Sequence, residues 1–169
     1  MNKDFKEFFK GERITVMGLG LLGRGVGDVA FLAECGAEVT VTDKKSPEEL
    51  ALSLQKLKKY PNIRFVLGRH RLSDFCNVDM VIKSAGVPLD SPYIKEARKN
   101  KIPVYMSTAL FVKLLPSGVT VVGITGTRGK TTTTHLVYEI VKRQEAGNKR
   151  HARRKVFLGG NVQGVSTLA

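Results

Sequence analysis

The chain has 169 residues, 42% of them hydrophobic and 25% charged, with a formal net charge of +13 and an isoelectric point near 10. That length and apolar fraction suit a soluble globular protein with one full domain and part of another, and argue against a disordered or fibrous chain. No stretch approaches the roughly 18 apolar residues of a membrane span, the N-terminal MNKDFKEFFKGER lacks the apolar core of a signal peptide, and Cys35 and Cys76 share no metal-ligand spacing, so the expectation is a cytoplasmic protein with free thiols.

Ile14 to Met17 reads as a short buried strand, followed at once by the G-x-G-x-x-G loop Gly18-Leu19-Gly20-Leu21-Leu22-Gly23. A helix through Ala30 to Glu34 should end at Gly36, a natural C-terminal cap. Val39 to Thr42 is a second strand, and Asp43 stands at its end, about twenty positions past the last glycine. A dinucleotide fold places there the acid that hydrogen-bonds a ribose hydroxyl, so this stretch alone points to a nicotinamide or flavin cofactor. The plainer alternative for Asp43 is a solvated strand-end acid.

Ser46-Pro47-Glu48-Glu49 is a capping box with proline at the first helical position, which predicts a helix to about Lys59 before Tyr60-Pro61 stops it. Strands are expected over Ile63 to Leu67 and Val78 to Lys83, the second running into Ser84-Ala85-Gly86-Val87-Pro88. Ser91-Pro92 starts a helix reaching Asn100, Ile102 to Tyr105 is a further short strand, and Ser107 caps a helix ending at Leu115. Pro116-Ser117-Gly118 reads as a linker between domains. The fold class is therefore α/β, a Rossmann-like parallel-sheet domain over 1–116 followed by the start of a P-loop ATPase domain over 117–169.

The second part opens on VTVVGITGTRGKTTTT, residues 119–134, an apolar strand leading through a glycine loop to a lysine-threonine pair at the head of a helix. Gly126 and Gly129 allow positive φ and bring backbone N–H groups near an anion, and the helix adds the positive end of its dipole. Lys130 can reach β- and γ-phosphates, and the Thr131 hydroxyl can ligate Mg²⁺. The general P-loop pattern wants its first glycine where this chain has Ile124, so the match is imperfect. His135, just past the threonines, reads as a helix-surface residue.

Residues 142–155, KRQEAGNKRHARRK, hold seven Lys or Arg against one Glu and supply much of the surplus charge. Without interleaved aromatics to stack on bases, they read as a solvated loop rather than an RNA- or DNA-binding arm.

Taken in order, GLGLLG, the strand-end VTD, SAGVP, ITGTRGKTTTT and LGGNVQG resemble the Mur ligase family, and within it the branch that adds D-glutamate. The resemblance covers essentially the whole chain. It implies an ATP-dependent amide-bond-forming ligase of peptidoglycan precursor synthesis, with ATP and Mg²⁺ as cofactors and UDP-N-acetylmuramoyl-L-alanine and D-glutamate as substrates, joined through an acyl phosphate. In that family the N-terminal glycine loop holds a UDP-sugar and not a redox cofactor. Carried over by position, Leu21 and Leu22 contact the nucleotide, Asp43 and Lys44 read the uracil, Lys45 meets the diphosphate, Gly86 approaches the uridine part, and Asn161 touches the sugar substrate. Gly126, Thr127, Arg128, Gly129, Lys130, Thr131 and Thr132 would hold the ATP phosphates, with Lys130 catalytic and Thr131 on the metal.

The chain departs from the family pattern at Ser84-Ala85-Gly86, where Ser-Pro-Gly is usual, at Arg128, where asparagine is usual, and over Met106 to Phe111, where an acidic pair is usual. The family's second magnesium site and its D-glutamate-binding domain would lie beyond residue 169, so the expectation is an N-terminal fragment that binds UDP without completing ligation. Two other readings stand beside it, an NAD(P)-binding oxidoreductase carried by GLGLLG and Asp43, and a basic nucleic-acid-binding module carried by residues 142–155.

Overall fold

The computed structural model describes residues 5–20, 24–147, 155–160 and 168. The chain divides into two compact units, Met1–Gly118 with Gln163–Ala169, and Val119–Val162.

The first unit is built on a five-stranded parallel sheet in the order β3-β2-β1-β4-β5, with β1 at Arg13–Met17, β2 at Glu38–Thr42, β3 at Ile63–Val66, β4 at Met80–Lys83 and β5 at Val104–Tyr105. Of the three inner strands, β4 is an apolar run up to Lys83, while β1 and β2 alternate apolar residues with Thr15, Thr40 and Thr42, and most of these residues are buried. On one face Ile14, Val16, Val39, Val41, Met80 and Ile82 pack in a core with Phe9 of α1 (Phe5–Phe9), Val29 and Leu32 of α2 (Arg24–Glu34), Leu57 of α3 (Ala51–Leu57) and Leu110 and Leu114 of α5 (Ser107–Leu114). On the other, Met17 and Val81 meet Phe75, Ile102, and Ile94 and Ala97 of α4 (Pro92–Lys99). Each fully buried Leu or Ile contributes about 1.5–3 kcal/mol. Strand connections run from β1 out to β2 and β3 on one side and return to β4 and β5 on the other. The reversal therefore falls between β1 and β4, the switch point where open α/β sheets bind ligands at the carboxyl ends of their strands.

Four local expectations need correction. The capping box forms, with Ser46 N–H donating to Glu49 Oε2 at 2.8 Å and Glu49 N–H to Ser46 Oγ at 3.4 Å. Regular helix nevertheless begins only at Ala51, because the tight turn before it, closed by Ala51 N–H to the Glu48 carbonyl, swings Leu50 into the core; α3 then ends at Leu57, not Lys59. Ser107 is the first helical residue of α5 and no cap, since its hydroxyl donates to the buried Asp28 carboxylate of α2. β5 is only two residues long: Pro103 has no N–H to offer, and its carbonyl accepts from Val81. Residues 119–123 form no strand, for their apolar side chains lack a neighbouring ladder and Val119, Val121 and Val122 are exposed.

In the second unit, α6 runs from Lys130 to Gly147 and contains no buried residue. Among the described residues no helix is long and apolar enough to cross a membrane.

Candidate functional site

β1 ends at Met17 and passes directly into the glycine loop. Gly18 has φ 91° and Gly20 φ 70°, values that favour glycine. The Gly18 N–H donates to the Thr42 carbonyl at 2.8 Å, so the loop leaves β1 leaning on the end of β2. Leu19 points inward and is 1% exposed. A Cβ built on Gly25, in the first turn of α2, would lie 2.1 Å from the Leu19 carbonyl oxygen, so the helix and loop backbones touch only because this position has no side chain.

Asp43 holds this loop. Its carboxylate is 6% exposed, and Oδ2 accepts the Leu19 N–H at 2.8 Å and the Gly20 N–H at 3.4 Å, while Oδ1 accepts the Lys45 N–H at 3.0 Å. Three backbone donors thus solvate one buried charge. The strand-end acid thus also engages the glycine loop that follows β1. Lys44 beside it is exposed, and the Lys45 carbonyl accepts from Gly68 N–H at 2.8 Å.

Behind Asp43, the segment after β3 pairs with it through a bridge between Asp43 and Arg69. His70 Nδ1 lies 2.6 Å from the buried Thr42 hydroxyl, and its ring meets Tyr93 edge-on at 5.0 Å. Burial pulls the His70 pKa below its ordinary value, against the opposing field of Asp43. Asp74, also buried, is held by Arg71 and Arg64 at 2.9 and 3.1 Å, and its carbonyl accepts the Thr15 hydroxyl at 2.6 Å.

The turn after β4 forms the facing wall. Ser84 N–H donates to the Met17 carbonyl at 2.9 Å and Val87 N–H closes the turn onto the Ser84 carbonyl at 3.1 Å. A Cβ on Gly18 would lie 2.6 Å from Ser84 Oγ, so this turn and the glycine loop stand side by side. Gly86 is exposed at its tip, with open space around it and no positive φ.

Asp43, Lys44, Lys45 and Gly86 thus gather at the carboxyl ends of β2 and β4, around the β1 loop. Leu21, Leu22 and Asn161 lie outside the described residues, as does half of the basic segment, 148–154. Sequence reasoning missed Gly25, His70, Lys83 and the Asp74 pair. Gly25 had a signal, as a further small residue just past the G-x-G-x-x-G run.

The second loop is described by itself. Gly126 and Gly129 have φ of 150° and 75°, and α6 starts at Lys130. The Lys130 ammonium donates to the Gly126 carbonyl, and Thr133 N–H to that of Gly129 at 2.9 Å. Every residue from Gly126 to Thr132 is exposed. Positive φ at both glycines, a lysine folded over the loop and a threonine in the first helical turn are donor chemistry suited to phosphate and Mg²⁺. Among the described residues no group of three or more His, Cys, Asp or Glu could hold a metal by itself.

The N-terminal domain model of the MurD-like Mur ligases matches residues 12–106, the whole of the sheet and its crevice. The chain belongs to that family. Among curated Mur ligases, it is 44% identical over 134 residues to the UDP-N-acetylmuramoylalanine–D-glutamate ligase of Roseiflexus sp., covering 79% of this chain and 28% of that protein. It is 38% identical over 161 residues to the same-named ligase of Borreliella burgdorferi, covering 95% and 32%. The chain therefore spans about a third or less of these relatives. Among solved Mur ligases, the UDP-N-acetylmuramate-alanine ligase of Thermotoga maritima aligns at TM-score 0.48 and 27% identity, over 79% of this chain and 30% of that one.

Proposed function

We propose that this chain carries the UDP-substrate domain, residues 1–116, and the opening of the ATP-binding domain, residues 117–169, of a cytoplasmic ligase joining D-glutamate to UDP-N-acetylmuramoyl-L-alanine. The observation that carries this reading is the buried Asp43 carboxylate. In a dinucleotide fold the loop N–H groups face a pyrophosphate and the strand-end acid faces a ribose. Here the N–H groups of Leu19 and Gly20 are spent on Asp43, which argues against a nicotinamide site and supports the family's use of this crevice.

Among the described residues Asp43 Oδ1 accepts one N–H, that of Lys45, and its remaining lone pair suits the imide N–H of uracil. Lys44 and Lys45, next along the chain, would meet the uracil and diphosphate. Gly86, at an open turn tip, lets the uridine part approach; Leu21, Leu22 and Asn161 complete the substrate contacts in this reading.

Gly126 to Thr132 would take the ATP phosphates, with Thr131 supplying a hydroxyl to Mg²⁺ and Lys130 exchanging the Gly126 carbonyl for phosphate oxygens. ATP and Mg²⁺ supply the phosphoryl group and its charge neutralisation. Lys130 stabilises charge on the migrating group by position and electrostatics.

Calorimetric titration of the 169-residue chain tests the first site. UDP should bind and NADH should not; tight NADH binding without a UDP response overturns the reading. The chain alone should release no phosphate from ATP in a D-glutamate-dependent way, and such release would contradict its role as a portion of the ligase.

A further inference from the structure

Lys83 is the last residue of β4, paired in register with Met17 of β1, and so stands at the switch point itself. Its side chain is only 7% exposed. Val81, two residues earlier on the same face, packs with Phe75 and Ile94, so the lysine stem lies along an apolar layer and only its head can seek polar partners. Those partners are the Val87 carbonyl at 2.8 Å and the Ser84 carbonyl at 3.3 Å. Both belong to the turn that flanks the glycine loop, and the ammonium spans it from beneath. Among the described residues no carboxylate forms an ion pair with Lys83.

A buried ammonium that has carbonyl partners and no counter-ion is costly to fold. The same turn could be braced by a neutral donor at lower cost. Asp74 is a contrasting case of a buried charge, with two arginines on one carboxylate. What Lys83 adds beyond a brace is a positive charge at the floor of a crevice at the carboxyl ends of the strands, where low dielectric keeps its field strong and salt screens it little.

We propose that Lys83 is a positioning and selectivity residue: it braces the Ser84–Val87 turn, and its unpaired charge makes the crevice prefer a nucleoside diphosphate over the uncharged nucleoside. This rests on the crevice being a uridine nucleotide site. It assigns Lys83 no contact with the ligand; the charge acts through space, across the turn that the ammonium holds.

The test is titration of the full 169-residue chain and its variants with UDP and with uridine, at low and at high salt. Lys83→Met removes brace and charge, Lys83→Gln keeps a donor for the turn without charge, and Lys83→Arg keeps both. Lys83→Gln should weaken UDP by about tenfold and uridine much less, a loss expected for one unit charge about 12 Å from another in a medium of effective dielectric near 20. The narrowed preference should persist at high salt, and Lys83→Arg should restore it. Should Lys83→Met fail to fold, Lys83→Gln carries the comparison. Unchanged UDP affinity in Lys83→Gln overturns the proposal, as does an equal loss of UDP and uridine, which would leave a brace alone. A wild-type chain that binds neither ligand overturns the reading of the site instead, and this role with it.

Discussion

Two glycine loops in this chain have similar sequences and opposite physical circumstances. The loop after β1 is locked from three sides, by the buried Asp43 carboxylate, by the Thr42 carbonyl and by the close passage of Gly25. The loop at Gly126 to Gly129 is held by bonds within itself and the first turn of α6, with every residue exposed. A glycine pattern states what a backbone can do; the packing around it decides whether a site exists before a ligand arrives. The first loop is preorganised in this sense, and the second has the donor chemistry without the surroundings.

Substitutions should separate the two most sharply at glycine. Gly25→Ala forces a methyl group to 2.1 Å from a backbone oxygen, and should cost about 3 kcal/mol or more in urea unfolding. Gly129→Ala meets no atom within 4 Å, so only its φ of 75° counts and the cost should be about 1 kcal/mol. Equal losses would erase the contrast. Next in size, Asp43→Asn should lower stability by about 2 kcal/mol, because charge-assisted bonds to buried N–H groups weaken and an amide donor faces other donors. Lys130→Met, at an exposed position, should change stability by less than about 0.5 kcal/mol.

The smallest effect is a pH dependence arising in the first unit. Burial holds the His70 pKa below its ordinary value, so the folded state binds fewer protons there than the unfolded one, and stability must fall as pH drops below about 6.5. His70→Gln should flatten that part of the profile. Asp79 acts in a lower window: its hydrogen bond from Arg13 keeps its pKa below the usual carboxylate range, so its contribution is lost only as pH falls through that range. A profile unchanged by His70→Gln between pH 7 and 5 would remove the imidazole from the account.

Much of the fold was legible because short buried strands are rich in β-branched and apolar residues between turn signals. Ile14 to Met17 and Val39 to Thr42 were each found to within one residue. The failures share a cause, in that neighbours overrode a local signal. Pro47 and Glu49 mark a helix start, but Leu50 is drawn into the core before regular helix begins. Residues 119–123 have strand propensity without a partner strand. At the site, Asp43 was visible from its place after β2, while its hold on the loop was not, since hydrogen bonds across 23 and 24 residues leave no local trace. Lys83 closes the strand segment Val78 to Lys83 and His70 stands in no motif, so neither carried a local sign of its contacts.

The contrast between the loops is tested most directly by amide hydrogen exchange on the 169-residue chain with UDP and, separately, with MgATP. UDP should slow exchange in peptides covering 18–20, 43–45 and 84–87, and MgATP should protect 126–132 much less than UDP protects the first crevice. Strong protection of 126–132 by MgATP, with no response of the first crevice to UDP, would contradict the account.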